Sequence, residues 1–181
     1  GMTTPFLSDG TISLRPVRRE DLPLLAAWRN QPDIRARTRE WQPLTEEHQE
    51  RWWKRITADD SRDFMFVVER GGQIEGPRAV GVVGLCHWSW IDRHAEVSFY
   101  CGEESMRRKG HMSAALRLLH EWGWSVGLER IWAECFAMNK PGIALLKKLG
   151  YTEEGRLRSH VYRDWELRDS ILLGILREEW R

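Results

Sequence analysis

Arg107-Arg108-Lys109-Gly110-His111-Met112-Ser113 is the stretch on which the fold turns. It lies between a strand pattern ending at Cys101 and a helix pattern in which Met112, Ala115, Leu116, Leu119 and Trp122 share one face. Gly110 lets the backbone turn tightly and come close to a ligand. The amides after it open a helix N-terminus, where unpaired N–H groups and the helix dipole favour an anion. Arg107, Arg108 and Lys109 add attraction for a diphosphate. No Lys-Ser/Thr follows the glycine, so this is not a P-loop, and the three spaced glycines of a dinucleotide fingerprint are absent. Alone, the segment reads equally as a glycine turn carrying solvated cations.

Upstream, Ile12, Leu14 and Pro16 alternate with polar residues and predict a first strand. Glu20 and Asp21 open a helix with Leu22, Leu25 and Ala26 at helical spacing, and Asn30-Gln31-Pro32 breaks it. Thr45 is an N-cap candidate, with Glu46 and Glu47 in the favoured first turn and Gln49, Trp52, Trp53 and Ile56 continuing the helix. Phe64 to Glu69, Val80 to Trp90 and Ala95 to Cys101 read as three further strands, the first two separated by a loop from Gly71-Gly72 through Gly76-Pro77. Downstream come a strand over Arg130 to Phe136, a helix with Pro141 near its start and Gly150 just past its end, a strand from Tyr151 and a last strand over Ser170 to Leu176. This order gives an α/β fold with a mixed sheet, short links implying antiparallel pairs and helical crossovers parallel ones.

The length of 181 residues fits a single domain over 1–181. Basic residues number 28 against 27 acidic, so net charge gives no reason to expect nucleic-acid or membrane binding. Cys86, Cys101 and Cys135 are widely spaced with no C-x-x-C pair, so no metal site is expected. The absence of a signal peptide and of an apolar run near about 18 residues predicts a cytoplasmic protein with free thiols. Gly1 before Met2 looks like an expression scar, and residues 1–10 are expected to be disordered or tag-derived.

A second motif follows the first: Asn139-Lys140-Pro141-Gly142-Ile143-Ala144-Leu145-Leu146-Lys147-Lys148-Leu149-Gly150-Tyr151. Together with Arg107 and Gly110 it resembles the cofactor motifs of the GNAT acetyltransferase superfamily, Gln/Arg-x-x-Gly-x-Gly/Ala and then Asn with a leucine-rich helix ending in Leu-Gly-Phe/Tyr. Met112 departs from the small third position. Ala95-Glu96-Val97-Ser98-Phe99-Tyr100 and the stretch from Glu154-Gly155-Arg156 to Trp180 resemble the RimJ/RimL-like branch, so the resemblance runs from about Ile12 to Trp180.

The resemblance implies a GNAT fold, a mostly antiparallel sheet flanked by helices whose fourth and fifth strands splay apart. It implies acetyl-CoA as cosubstrate. The residues implied to hold it are Cys101, through its backbone, the loop Arg107, Arg108, Lys109, Gly110, His111, Met112 and Ser113, and Asn139. Asn139 carries both an amide donor and an acceptor, though an Asn at this place also caps helices. The acceptor is an amine that must lose a proton to react. Alternation places Glu96, Ser98 and Tyr100 on one strand face, unless a family bulge in that strand disturbs the count. Glu96 is the candidate base and Tyr100 a residue that orients acceptor or cofactor; a structural ion pair and aromatic packing are the competing roles. Leu146 stands where many family members carry the Tyr that protonates the leaving thiolate. His87, near Trp88 and Trp90, reads as a core or surface histidine more readily than as a site residue.

The expected acceptor is a protein N-terminus or a small-molecule amine, and the expected assembly a monomer or homodimer. A nucleotide-linked amino sugar would suit stacking on Trp41, Trp52 and Trp53, and a polyamine would want an acidic groove. Asp59, Asp60 and Asp63 form only a small acidic cluster, read as a solvated loop. A non-catalytic CoA-binding module is the alternative of another class.

Overall fold

A computed structural model describes residues 5–71 and 74–181. Its strands are β1 Leu7–Ser8, β2 Ile12–Pro16, β3 Phe64–Arg70, β4 Arg78–Ser89, β5 His94–Cys101, β6 Arg130–Phe136, β7 Thr152–Arg163 and β8 Glu166–Leu176. Its helices are α1 Leu22–Arg29, α2 Pro32–Arg35, α3 Glu46–Thr57, α4 His111–Ser125 and α5 Lys140–Leu149. The strands form one sheet in the order β1-β2-β3-β4-β5-β6-β8-β7. Every neighbouring pair is antiparallel except β5 and β6, which α4 joins as a crossover. The second crossover, through α5, does not make a parallel pair, because β8 inserts between β6 and β7.

Period-two alternation divides the sheet's residues between two helical layers. On one face α4 and α5 contribute Ala115, Leu116, Leu119, Leu146 and Leu149 to a core with Val83, Leu85, Val97, Ile131 and Leu173. Each such fully buried leucine stabilises the fold by roughly 1.5–3 kcal/mol. On the other face Leu22, Leu25 and Trp28 of α1, with Trp52, Trp53 and Ile56 of α3, cover Val67, Val82 and Tyr100. Trp41 stays exposed and outside both clusters. The Thr45 cap forms as its sequence predicts, Oγ1 accepting from the His48 amide at 3.2 Å.

Two expectations are corrected, and the break at Asn30-Gln31-Pro32, which does end α1 at Arg29, is extended. Residues 5–10 are ordered: β1 pairs Leu7 with Leu14 and Ser8 with Ser13, and Phe6 stacks on Phe66 with ring centroids 5.6 Å apart. A two-residue strand has no periodicity to read, so only its partner β2 is visible in sequence; residues 1–4 lie outside the described residues. Pro32 does not merely break a helix. It is the first residue of α2, where a missing N–H costs nothing. The bulge lies in β4 rather than β5: the register shifts between Cys86 and Ser89 while β5 continues unbroken. His87 takes the extra position with a left-handed φ of 52°. Asp63 Oδ1 accepts from the His87 amide at 3.0 Å and the Arg62 carbonyl from the Trp88 amide at 3.0 Å, which hold the bulge. Asp63 therefore serves the bulge, while Asp59 and Asp60 are exposed in the loop after α3.

Candidate active site

The site begins where two strands part. The ladder between β5 and β6 ends at Glu96 opposite Trp132. Beyond that point β5 stays on β4 as far as Cys101, and β6 stays on β8 as far as Phe136. The edge of β5 past Glu96 is left open. Gly102 N–H donates to the Val80 carbonyl at 2.9 Å, so alternation turns the backbone groups of Val97, Phe99 and Cys101 toward the gap. The Cys101 carbonyl already accepts from Arg107 Nε at 3.2 Å. Its thiol packs against the core, and burial raises its pKa, leaving it a poor nucleophile.

Below this edge lies the N-terminus of α4. Gly110 precedes it with φ 80° and ψ 2°, and no atom lies within 4 Å of where a Cβ would stand. The open space above a helix start matches what an anion needs. Arg108 and Lys109 are exposed and make no ion pair among the described residues. His111 is buried with Nε2 lacking any hydrogen-bond partner, and burial, followed by Arg70 and Lys109, lowers its pKa. An orphaned buried nitrogen and the opening amides fit a phosphate group. Met112 does not obstruct the loop: its side chain joins the core, and its Sδ lies 3.2 Å from where a Cβ on Gly81 would sit. The glycine in β4 makes room for the large residue in the loop. Ser113 is half-buried in the first turn.

Arg107 differs from expectation. Its guanidinium turns away from the helix start to the Cys101 carbonyl and to Asp33 of α2. Burial pushes the Asp33 carboxyl up, but Arg107 outweighs it and holds the pKa below the ordinary value. Arg107 thus ties the loop to β5 and α2 through Nε and Nη1, and its buried Nη2 has no hydrogen-bond partner among the described residues. Asn139 caps α5, its Oδ1 accepting from the Gly142 amide at 3.2 Å. A Cβ on Gly142 would stand 2.6 Å from Asn139 Nδ2, so the glycine seats the cap. The Nδ2 donor remains for a ligand.

On the face toward α1 and α3, Glu96 is buried with 5% of its side chain exposed. A single nitrogen, Arg39 Nη2, bridges both its oxygens at 2.8 and 2.9 Å. His87 Nε2, carried outward by the bulge, stands 3.6 Å from Glu96 Oε1. On β6, past the divergence, Glu134 accepts from the fully buried Ser170 hydroxyl at 2.9 Å. Arg163 of β7 lies over the Phe136 ring at 5.2 Å and donates to the carbonyls of Thr38 and Arg39 at 3.1 and 3.3 Å. That contact pins the backbone of the segment carrying Arg39.

Tyr100 shares the strand face of Glu96, as alternation predicts, but the structure does not bring the two together. Four residues along a strand separate them by about 13 Å. The Tyr100 ring packs edge-on to Trp28 at 6.3 Å with Arg29 at 5.9 Å, and burial raises its pKa. Leu146 is fully buried in the core and offers no proton. Sequence reading missed Arg39, Glu134, Ser170 and Arg163; His87 is a surface histidine, as read, though the bulge sets it beside Glu96. A buried strand carboxylate does announce the need for a cation, but not which of the many arginines supplies it.

The arrangement combines an open strand edge, an anion-ready helix start and a buried carboxylate at one divergence. The chain belongs to the Acetyltransferase (GNAT) domain family, whose pattern matches residues 11–152, and it is an N-acetyltransferase. The uncharacterized N-acetyltransferase p20 of Bacillus licheniformis is 26% identical over 178 residues, covering 93% of this chain and 94% of that protein. Spermidine N(1)-acetyltransferase of Escherichia coli (strain K12) is 26% identical over 175 residues, covering 94% and 88%. The spermidine N-acetyltransferase of Vibrio cholerae in complex with CoA and spermine superposes with a TM-score of 0.83 at 20% identity, covering 94% of this chain and 98% of that one, a likeness of fold. No helix among the described residues is long and apolar enough to cross a membrane.

Proposed function

We propose that the protein transfers acetyl from acetyl-CoA to a primary amine, on a protein N-terminus or a small molecule, as in the RimJ/RimL-like branch. The observation that carries this reading is the divergence of β5 and β6 with Glu96 buried at its root. The amides at the start of α4, with Arg108, Lys109 and His111, would hold the diphosphate, and the open edge of β5 would receive the pantetheine arm. Asn139 would add its Nδ2 donor. The cosubstrate supplies an acetyl thioester. Glu96 takes the proton that the acceptor nitrogen sheds as it bonds to the acyl carbon and the carbon–sulfur bond breaks. The departing thiol has an unperturbed pKa of about 8.5, so it leaves without a dedicated acid such as the family Tyr that Leu146 replaces.

The spermidine-acetylating relatives favour a polyamine as a second reading. The test common to both is incubation with acetyl-CoA and a mixed amine library, read by mass spectrometry, beside a thermal scan with CoA. Ligand at about 100 Kd should add about 2.7 kcal/mol of stability. A scan without a shift at millimolar CoA, or a library without acetylated product, overturns the reading.

A further inference from the structure

The proposed base already has an occupant. Arg39 Nη2 sits between both oxygens of Glu96 at 2.8 and 2.9 Å, the position a protonated acceptor amine would take. An acceptor reaches Glu96 only by displacing that nitrogen. The displacement is feasible, because the Arg39 side chain is 55% exposed while its backbone is fixed through Arg163. The guanidinium can swing without the segment moving.

What the acceptor must carry follows from charge. The wall around the divergence includes two carboxylates, Glu96 and Glu134, two guanidinium groups, Arg39 and Arg163, and the His87 imidazole 3.6 Å from Glu96. Glu134 is already hydrogen-bonded by Ser170, and Glu96 is neutralised by Arg39. A polycation therefore meets no net negative field here, and each amine that displaces Arg39 leaves a guanidinium unpaired beside another cation. An acceptor with an oxygen next to its amine avoids that cost: its ammonium replaces Arg39 on Glu96, and its carbonyl or carboxylate takes the guanidinium released. Every charged group then stays hydrogen-bonded, and a carboxylate pairs the guanidinium charge as well.

We infer that Arg39 is a specificity-determining residue that selects amines bearing an adjacent carbonyl or carboxylate, the α-amino group of an amino acid or of a peptide N-terminus, over amines that carry only positive charge. This rests on the proposed role of Glu96.

The test is steady-state CoA release by the full chain with four acceptor sets: free L-amino acids, short peptides with free N-termini, the monoamines that result from decarboxylating those amino acids, and spermidine. The wild type should use one of the α-amino sets with a kcat/KM about 10- to 100-fold above the matched monoamine, the range of one charge-assisted hydrogen bond. Whether free amino acids or peptides lead separates the two sources. Arg39→Gln should lose that preference through a higher KM while improving on spermidine. Circular dichroism and the CoA-induced thermal shift report whether this variant is folded. If it is not, Arg39→Lys, which keeps the charge but not the planar fork, should retain discrimination against spermidine and weaken the preference among the rest. A wild type that acetylates spermidine at least as well as α-amino compounds, or a folded Arg39→Gln with unchanged KM values, overturns the inference and leaves Glu96 as base intact. A wild type that acetylates nothing in any set overturns both.

Discussion

The two halves of the site are built in different ways. The half proposed to hold the cosubstrate is, Asn139 apart, local: the opening amides of α4, the αL glycine before them and the open edge of β5 lie within residues 97–113. The half proposed to receive the acceptor is side chain and long range: Arg39 meets Glu96 across 57 residues, Ser170 meets Glu134 across 36, and Arg163 meets Arg39 across 124. A half made of backbone tolerates changes of side chain, as Met112 beside Gly81 shows. A half made of matched charges does not. The two should therefore fail separately when mutated.

The largest effect should come from the acceptor half. Glu96→Gln keeps size and hydrogen bonding but removes the base, so kcat/KM should fall about 10²- to 10⁴-fold. The loss should shrink as pH rises and more of the acceptor is already neutral. An unchanged kcat/KM at neutral pH in steady-state kinetics would remove Glu96 from the mechanism. A rise in KM alone would reduce it to binding the acceptor.

Acidification should act instead beneath the cosubstrate half. His120 of α4 is fully buried; its Nδ1 donates to the Leu116 carbonyl at 2.6 Å, its Nε2 accepts from the Tyr151 hydroxyl just past α5, and its ring stacks on Trp180 at 5.0 Å. Burial pushes its pKa down to about 4, against the pull of the Leu116 carbonyl. The unfolded chain, with His at about 6.5, then binds a proton that the folded chain refuses. Stability should be full above about pH 6.5 and fall by roughly 3 kcal/mol in all as pH drops to about 4, where the folded state protonates as well. Urea melts of wild type and His120→Gln between those pH values check it: the variant should be less stable at neutral pH but flatter with pH, and parallel slopes would contradict the assignment.

The smallest effect belongs to Tyr100. Its ring packs on Trp28 and its hydroxyl makes no hydrogen bond among the described residues, so Tyr100→Phe, which keeps the ring, should leave kcat/KM within about twofold. A loss of tenfold or more in the same kinetics would return the hydroxyl to the acceptor half.

The same division explains what could be read from the sequence. Helix and strand periods, the Thr45 and Asn139 caps and the glycine turn at Gly110 are set by residues within a few positions of one another, so the layers and the turn before α4 were legible. Glu96 was legible as a carboxylate on the right strand face, because β5 alternates without interruption. Arg39 was not: it lies in an irregular segment with no period, placed by Arg163 from the far end of the chain. The nearness of His87 to Glu96 was not legible because it depends on a bulge held by Asp63. The ion pair of Arg107 with Asp33 was not legible, since Asp33 belongs to a four-residue helix with no pattern to announce it.

Calorimetric titration of acetyl-CoA into wild type, Glu96→Gln and Gly110→Val tests the separation of the two halves directly. A β-branched residue fits poorly at φ 80° and would fill the space above the helix start. Glu96→Gln should bind acetyl-CoA as the wild type does, and folded Gly110→Val should show no measurable binding. Unchanged affinity in a folded Gly110→Val, or lost affinity in Glu96→Gln, would contradict the account.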